Sequence, residues 1–221
     1  MSFDRRQDRA QRESYHHGNL REALIEAALR LVAERGPAGF AFVELARAAG
    51  VSPAAPYRHF RDRNALLSEI ARRGFARFAA DMERVWNNAG PDPITALENC
   101  GKAYLAFARR DPASYAVMFE SGLPLEDDPA LRQASDLAFA VLRRAADAAC
   151  ATARDNRPPA LMVALHVWAM SHGIASLFVG RPQKLPMTPE ELLEAGLLVY
   201  LQSLGLAGTP PGRARFLTRQ A

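Results

Sequence analysis

Apolar residues recur every three or four positions through most of the chain, and no stretch keeps the two-residue alternation of a half-buried strand. The pattern predicts an all-α protein. Leu20, Leu24, Ala27, Ala28, Leu31 and Val32 line one face of a first helix, with Asn19 and Glu22 spaced as a capping box and Gly36-Pro37 as its stop. A short second helix is expected from Phe42 to Ala49, with Val43, Leu45, Ala46 and Ala49 apolar and Gly50 closing it. Ser52-Pro53 opens a third short helix through Phe60. Asp62 caps a fourth, reaching about residue 88 and carrying Leu66, Leu67, Ile70, Gly74, Phe75, Phe78, Met82 and Val85.

Beyond Gly90-Pro91 the expected helices lengthen, over 93–109, 112–120, 128–154, 158–179 and 188–205, with breaks at Asp111-Pro112, Gly122 to Pro124, Arg157-Pro158-Pro159 and Gly180 to Pro189. Residues 1–18 mix arginines with acids and lack apolar periodicity, so a mobile basic arm is expected there. A frayed tail is expected over 206–221, where Thr209-Pro210-Pro211-Gly212 sits among three arginines. The chain thus divides into an arm, an N-terminal three-helix head over 19–73 and a C-terminal helical bundle over 91–205.

Composition adds little to fold class but much to function. With 49% apolar and 24% charged residues among 221, the chain is globular and not disordered. Residues 1–73 hold 13 arginines against 9 acids, whereas the other 148 hold 15 basic and 15 acidic groups. All of the formal excess of +4 therefore sits in the first third, as expected if that part alone meets a polyanion. Cys100 and Cys150 allow at most one disulfide and lie in alanine-rich helical patterns, where cysteine packs as a small hydrophobe. The polar, arginine-rich N-terminus has no apolar core of a secretory signal, so a reducing cytoplasm is expected. Between Arg157 and Arg181 run 23 uncharged residues, long enough for a bilayer, which needs about 20. His166, His172, Gly173, two serines and two leading prolines interrupt that run, and burial in protein is the expectation, with no membrane partner.

Residues 42–60 read as helix, glycine turn, helix. A helix-turn-helix needs small residues where its helices cross, supplied by Ala46 and Gly50, and an apolar residue in the turn, supplied by Val51. Its second helix would present Tyr57, Arg58 and His59, all able to bond phosphate, with arginine also able to read guanine. Arg61 and Arg63 follow where the next helix exposes its N–H groups. Two short amphipathic helices at a glycine are common in other proteins, and the charge segregation tips the balance toward DNA.

Here a resemblance becomes specific. Residues 15–70, through Ala46, Gly50-Val51-Ser52, Tyr57-Arg58-His59-Phe60, Arg63 and Leu66-Leu67, resemble the DNA-binding domain of the TetR family of transcriptional repressors. Tyr15-His16-His17-Gly18-Asn19-Leu20-Arg21 and Ala54-Ala55-Pro56-Tyr57 are similar to a subgroup whose C-terminal domain carries a Trp, His and Gly signature, matched by Trp168, His172 and Gly173. The resemblance implies a homodimer that binds an operator, with a small molecule in the C-terminal body releasing it. It carries DNA contact to Ser52, Pro53, Ala54, Ala55, Tyr57, Arg58, His59, Arg61 and Arg63. Tyr57 and His59 are expected to anchor phosphates, with Arg58 and Ala54 facing bases. The chain departs from the family at Ala41, where Ser or Thr usually caps helix two, although Glu44 keeps the other half of that cap. Arg63 replaces a lysine, and Pro56 removes a backbone donor, so the recognition helix should be short or distorted there.

Each remaining feature has an ordinary reading beside the functional one. Adjacent His16 and His17 could bind metal, but capping or a phosphate contact suits them better, and no metal is expected. Trp168 and His172, four apart on one face, either line an effector cavity or form a core Trp with a hydrogen-bonded His. Tyr104, Phe107, Tyr115, Met118 and Phe119 supply an aromatic and methionine cluster that is either core or the rest of that cavity. Glu126-Asp127-Asp128 is read as a solvated loop that caps the next helix. The helices near 158–179 and 188–205 carry apolar residues around nearly their whole circumference, Leu197 and Leu201 included, and are expected to pair across a two-fold axis. GxSxG, HExxH, P-loop and GxGxxG motifs are absent from the sequence, and neither catalysis nor a cofactor is expected. The competing class is a helical enzyme or adaptor that never touches nucleic acid.

Overall fold

The computed structural model describes residues 4–153, 156–178 and 186–206, with side chains from Leu20 onward. The first three residues of the expected arm, the tail from 207 and part of the break before residue 186 lie outside the described residues. So do the side chains of the Tyr15–Asn19 motif. Among the described residues there is no strand. The elements are α1 (Asp4–Arg35), α2 (Phe42–Ala48), a 3₁₀ turn (Pro56–Arg58), α3 (Arg63–Asn87), α4 (Pro93–Arg110), α5 (Pro112–Glu120), a second 3₁₀ turn (Leu125–Asp127), α6 (Pro129–Cys150), α7 (Ala160–Phe178) and α8 (Pro189–Ser203).

Two expectations about the first helix change. It begins at Asp4, so residues 4–18 continue the helix where an arm is expected from the sequence. Arg, Gln, Glu and Ala dominate 5–13, and these residues form helix well without an apolar face. Asn19 then lies inside the helix, and Glu22 bonds Arg73 instead of closing a capping box.

The chain forms two compact units, residues 1–74 with 113–131, and residues 75–112 with 132–221. Helix α5, expected in the body, belongs with the first. In that unit Leu24, Ile25, Ala27, Ala28, Leu31 and Val32 of α1 bury one stripe, joined by Phe42, Leu45 and Ala46 of α2 and by Phe60, Leu66, Leu67 and Ile70. Gly74 is needed where α3 passes α5, since a Cβ there would sit 2.5 Å from the Met118 sulfur.

In the second unit α4, α7 and α8 pack on one another, with Phe78, Met82 and the alanine-rich face of α6 completing the core. Asp92 caps α4 by accepting from the Ile94 and Thr95 N–H groups, and Thr188 with Glu191 forms a full capping box on α8. Cys100 and Cys150 are free and buried, and burial pushes the Cys100 thiol up to about 12. Helix α7 is long and apolar enough to cross a membrane by length and composition, yet Val163, Ala164, Val167, Ser171, Ile174 and Ala175 are buried as one stripe within this unit. Helix α8 buries Leu193, Leu197 and Leu201. Leu197 and Leu201 are therefore core residues, and the faces left over are those of Leu161, Leu165, Leu177 and Val199.

Gly50 holds a left-handed φ of 69°, a region that costs other L-residues on the order of 1–2 kcal/mol. Gly50→Ala should lower unfolding free energy by about that much, with far-UV helix content unchanged in the native state. Leu197→Asp should leave no cooperative thermal transition, because it places a charge in the core of its own chain.

Candidate nucleic-acid interface

The first unit turns its backbone at the end of α2 through a Schellman closure. The Val51 N–H donates to the Ala46 carbonyl at 2.9 Å and the Gly50 N–H to the Arg47 carbonyl at 3.1 Å. At the other end of α2, Ala41 has no side-chain acceptor, while a Glu44 carboxylate oxygen accepts from the Ala41 N–H at 2.9 Å. The Glu44 carboxyl is held below its ordinary value by that backbone bond and by Arg35. Half of the usual cap is thus retained.

The expected helix over 53–60 shrinks to the 3₁₀ turn Pro56–Arg58. The cause is the missing Pro56 donor. In an α-helix the Ser52 carbonyl would receive the N–H of residue 56, but here the Ala55 N–H takes it at 2.9 Å. The Arg58 N–H goes to Ala55 at 3.2 Å and the His59 N–H to Pro56 at 3.0 Å, continuing the tighter spacing. Pro56 and Phe60 point into the core, which leaves Ser52, Pro53, Ala54, Tyr57 and Arg58 exposed, with Ala55 and His59 half-buried. Tyr57 is 58% exposed, and its ring stands edge-on to Phe42 at 5.0 Å, so the first residue of α2 props the phenol outward.

The arginines divide. Arg58 and Arg61 are exposed, and Arg61 pairs with Asp62 at 2.9 Å. Asp62 also accepts from the Ala65 N–H at 2.8 Å, and that bond, with Arg61, holds its carboxyl below the ordinary range. A carboxylate therefore occupies the start of α3, where the sequence leaves helix N–H groups for a phosphate. Arg63 turns inward: it donates to the Pro37 carbonyl, lies over the Phe40 ring at 5.5 Å and buries its Nε. The structure therefore does not place Arg63 with the exposed cations. Arg47, exposed in the last turn of α2, was not singled out from the sequence, where it reads as one more polar helix position.

Behind this surface an ionic cluster ties α1 to α3. Glu69 accepts from Arg21 at 3.1 Å, Arg72 at 3.0 Å and Arg73 at 2.6 Å, while Arg73 also grips Glu22 at 2.6 and 2.8 Å. Burial would raise the Glu69 carboxyl, but hydrogen bonds from Arg72, Arg21 and Arg73 outweigh it and hold the group at about 2. Arg21 also covers the Phe60 ring at 5.0 Å, so the cluster reaches the last residue of the recognition segment.

In the second unit Tyr104, Phe107, Trp168 and His172 come together. The Tyr104 hydroxyl and His172 Nδ1 lie 2.8 Å apart, Tyr104 meets Phe78 and Trp168 edge-on at 5.0 and 5.4 Å, and Phe107 lies 5.2 Å from Phe78. Tyr115, Met118 and Phe119 belong to the first unit, where Tyr115 and Phe119 pack at 4.9 Å. The second unit also has clefts of about 970 Å³, beside Asp92, Arg157 and Met162, and about 320 Å³, beside Leu105, Ala108 and Phe178. Neither is lined by the seven residues expected at an effector site.

A carboxyl depressed in the folded state stabilises it above the unfolded value near 4.5, and that contribution fades as pH falls toward 2. Glu69→Gln should lower Tm at neutral pH and narrow the Tm difference between about pH 5 and pH 2.5. Calorimetry across that range checks both effects.

A family model described as "Bacterial regulatory proteins, tetR family" matches residues 24–70, and one described as "Tetracyclin repressor-like, C-terminal domain" matches residues 97–200. The HTH-type transcriptional regulator AcrR of Shigella flexneri is 42% identical over 50 residues, which are 23% of this chain and 23% of that protein. The match therefore spans about a quarter of that relative's length. A structure of a protein with unknown function from Rhodococcus sp. RHA1 superimposes with a TM-score of 0.72 at 30% identity, over 86% of this chain and 97% of that one. AibR in complex with isovaleryl coenzyme A and operator DNA has the same fold, with a TM-score of 0.65 at 21% identity over 81% and 97% of the two chains. One matched model takes in the helix-turn-helix and the other the α4–α8 region, and the chain belongs to the tetR family of bacterial regulatory proteins.

Proposed function

We propose that this protein is a ligand-responsive, sequence-specific DNA-binding transcriptional regulator, a repressor that a small molecule releases from its operator. The observation that carries this reading is the surface formed after the Gly50 reversal, where Ser52, Pro53, Ala54, Tyr57 and Arg58 are exposed beside Arg47 and Arg61. A phenol, guanidinium groups and a short turn suit phosphate anchoring with a few base-edge contacts. Arg58 and Ala54 face bases in this reading, and Tyr57 and His59 hold phosphates. The confinement of the formal positive excess to residues 1–73 supports the same surface.

The effector site belongs, in this proposal, against the Tyr104–His172 pair and Trp168, where a polar couple sits among aromatic edges. In this reading the chain is a member of the Trp-His-Gly subgroup, which Trp168, His172 and Gly173 support. It acts in the cytoplasm, without catalysis, as a homodimer through α7 and α8 whose two heads read a palindromic operator in successive major grooves, roughly 34 Å apart or a small multiple. AibR, bound to a coenzyme A thioester and operator DNA, is a precedent for this pairing of ligands on the same fold.

Selection of bound duplexes from random DNA at moderate salt should enrich one palindromic motif. Failure to enrich any motif above nonspecific background would favour a helical adaptor or enzyme. Within the enriched set, Tyr57→Ala should weaken binding about tenfold on every operator without changing the motif, as expected for a lost phosphate contact.

A further inference from the structure

We propose that Arg63 serves DNA binding without touching DNA: it holds the loop between α1 and α2, and through that loop it fixes where α2 starts and where Tyr57 stands. The inference rests on the DNA-binding reading above. It gives this arginine a positioning role in place of the phosphate contact that its charge and its place at the start of α3 suggest.

The guanidinium is committed to the protein's own interior. One terminal nitrogen donates to the Pro37 carbonyl, and the group lies over the Phe40 ring at 5.5 Å. Its Nε is buried with no hydrogen-bond partner. An arginine free to point into water would leave no such donor unbonded, so the inward direction is imposed by the carbonyl and the ring. Reaching a phosphate would mean leaving both. The neighbouring Arg61, with its side chain 87% exposed, is the cation placed for that task.

The loop that Arg63 holds leads directly into a helix with an incomplete cap. Ala41 occupies the N-cap position with extended backbone, φ −103° and ψ 161°, and offers no side-chain oxygen to the first N–H groups of α2. The remaining cap bond, from the Ala41 N–H to Glu44, is exposed, and the same carboxylate is drawn on by Arg35. A helix of 7 residues so capped has little to hold its start in place by itself. Arg63 supplies the missing restraint by pinning Pro37 and Phe40, the second of which immediately precedes the N-cap residue. From there the path to the contact surface is short. Phe42 opens α2, and its ring meets Tyr57 edge-on at 5.0 Å. A loop free to swing would carry Phe42 with it and withdraw the support of the phenol.

Lysine separates the two roles. It keeps the charge that a phosphate needs, but its compact, strongly hydrated ammonium lacks the planar fork that bonds a carbonyl while covering a ring. The test uses the full-length protein and the duplex that wild type enriches from random DNA. Arg63→Lys should weaken binding to that duplex about tenfold. Arg63→Gln should weaken it about as much and leave the slope of log affinity against log salt unchanged, where a lost phosphate contact would lower the slope by about 0.9. Without DNA, both variants should speed amide hydrogen exchange over residues 40–45 while the buried stretch of α1 from Leu24 to Val32 stays protected. Ala41→Ser restores the missing acceptor. It should raise affinity about fivefold when combined with Arg63→Lys and under about twofold on its own, because the cap and the arginine do the same work. Should the Arg63 variants fail to fold, Phe40→Leu takes their place. It leaves the cation intact and alters a residue buried from any DNA, and it should give the same loss, the same faster exchange and the same rescue. Arg63→Lys binding as tightly as wild type, a salt slope flattened by about one in Arg63→Gln, unchanged exchange over 40–45, or an equal gain from Ala41→Ser in both backgrounds each overturns the positioning role and leaves the DNA-binding reading standing. A wild type that enriches no duplex overturns both.

Discussion

The first unit depends on one backbone reversal. At Gly50 the chain takes a left-handed φ, and two hydrogen bonds back onto α2 lock the direction in which it leaves. From that direction Pro56 and Phe60 drop into the core laid down by α1 and α3. Tyr57 and Arg58 are then exposed because their neighbours are buried. Phe42 props the phenol from below, and Arg21 covers Phe60 while holding Glu69, so the charge cluster touches segment 52–60 at its last residue.

The second unit is organised around a helix with two kinds of neighbour. Trp168 and His172 of α7 meet the aromatic cluster of Tyr104, Phe78 and Phe139, while Ala169 and Gly173, the next residue in each case, are exposed. A one-residue step rotates a helix by about 100°, so adjacent letters of the sequence belong to different surfaces. Trp168, His172 and Gly173 consequently do not form a single site: the first two are joined through Tyr104 inside the unit, and the third faces away.

Local features were the legible part of this sequence. Periodicity located α2, the apolar face of α3 and the starts of α4 and α8, because each depends on residues within a few positions. Pro56 announced a distorted recognition helix for the same reason. The start of α1 was hidden, since residues 4–18 have helix propensity without the apolar face by which helices are recognised. The direction of Arg63 depends on a carbonyl 26 residues away, which no local pattern encodes. Leu197 and Leu201 were indistinguishable from Val199 because α8 is apolar on most sides, and only its packing separates inner from outer leucines. Tyr104, Phe107, Tyr115, Met118 and Phe119 read as one cluster because chain distance does not reveal that α5 groups with the head.

The two prolines of the recognition segment bear on the entropy of whatever meets it. Segment 52–60 has lost the regular ladder of an α-helix, yet Pro53 and Pro56 fix two backbone torsions in the unfolded chain as well as in the folded one. Burial of Pro56 and Phe60 fixes much of the rest. Segment 52–60 is therefore ordered within the protein itself. Little conformational freedom remains there to be lost on association, so the thermodynamics of binding should report surface, solvent and ions and not the folding of the protein's own loop.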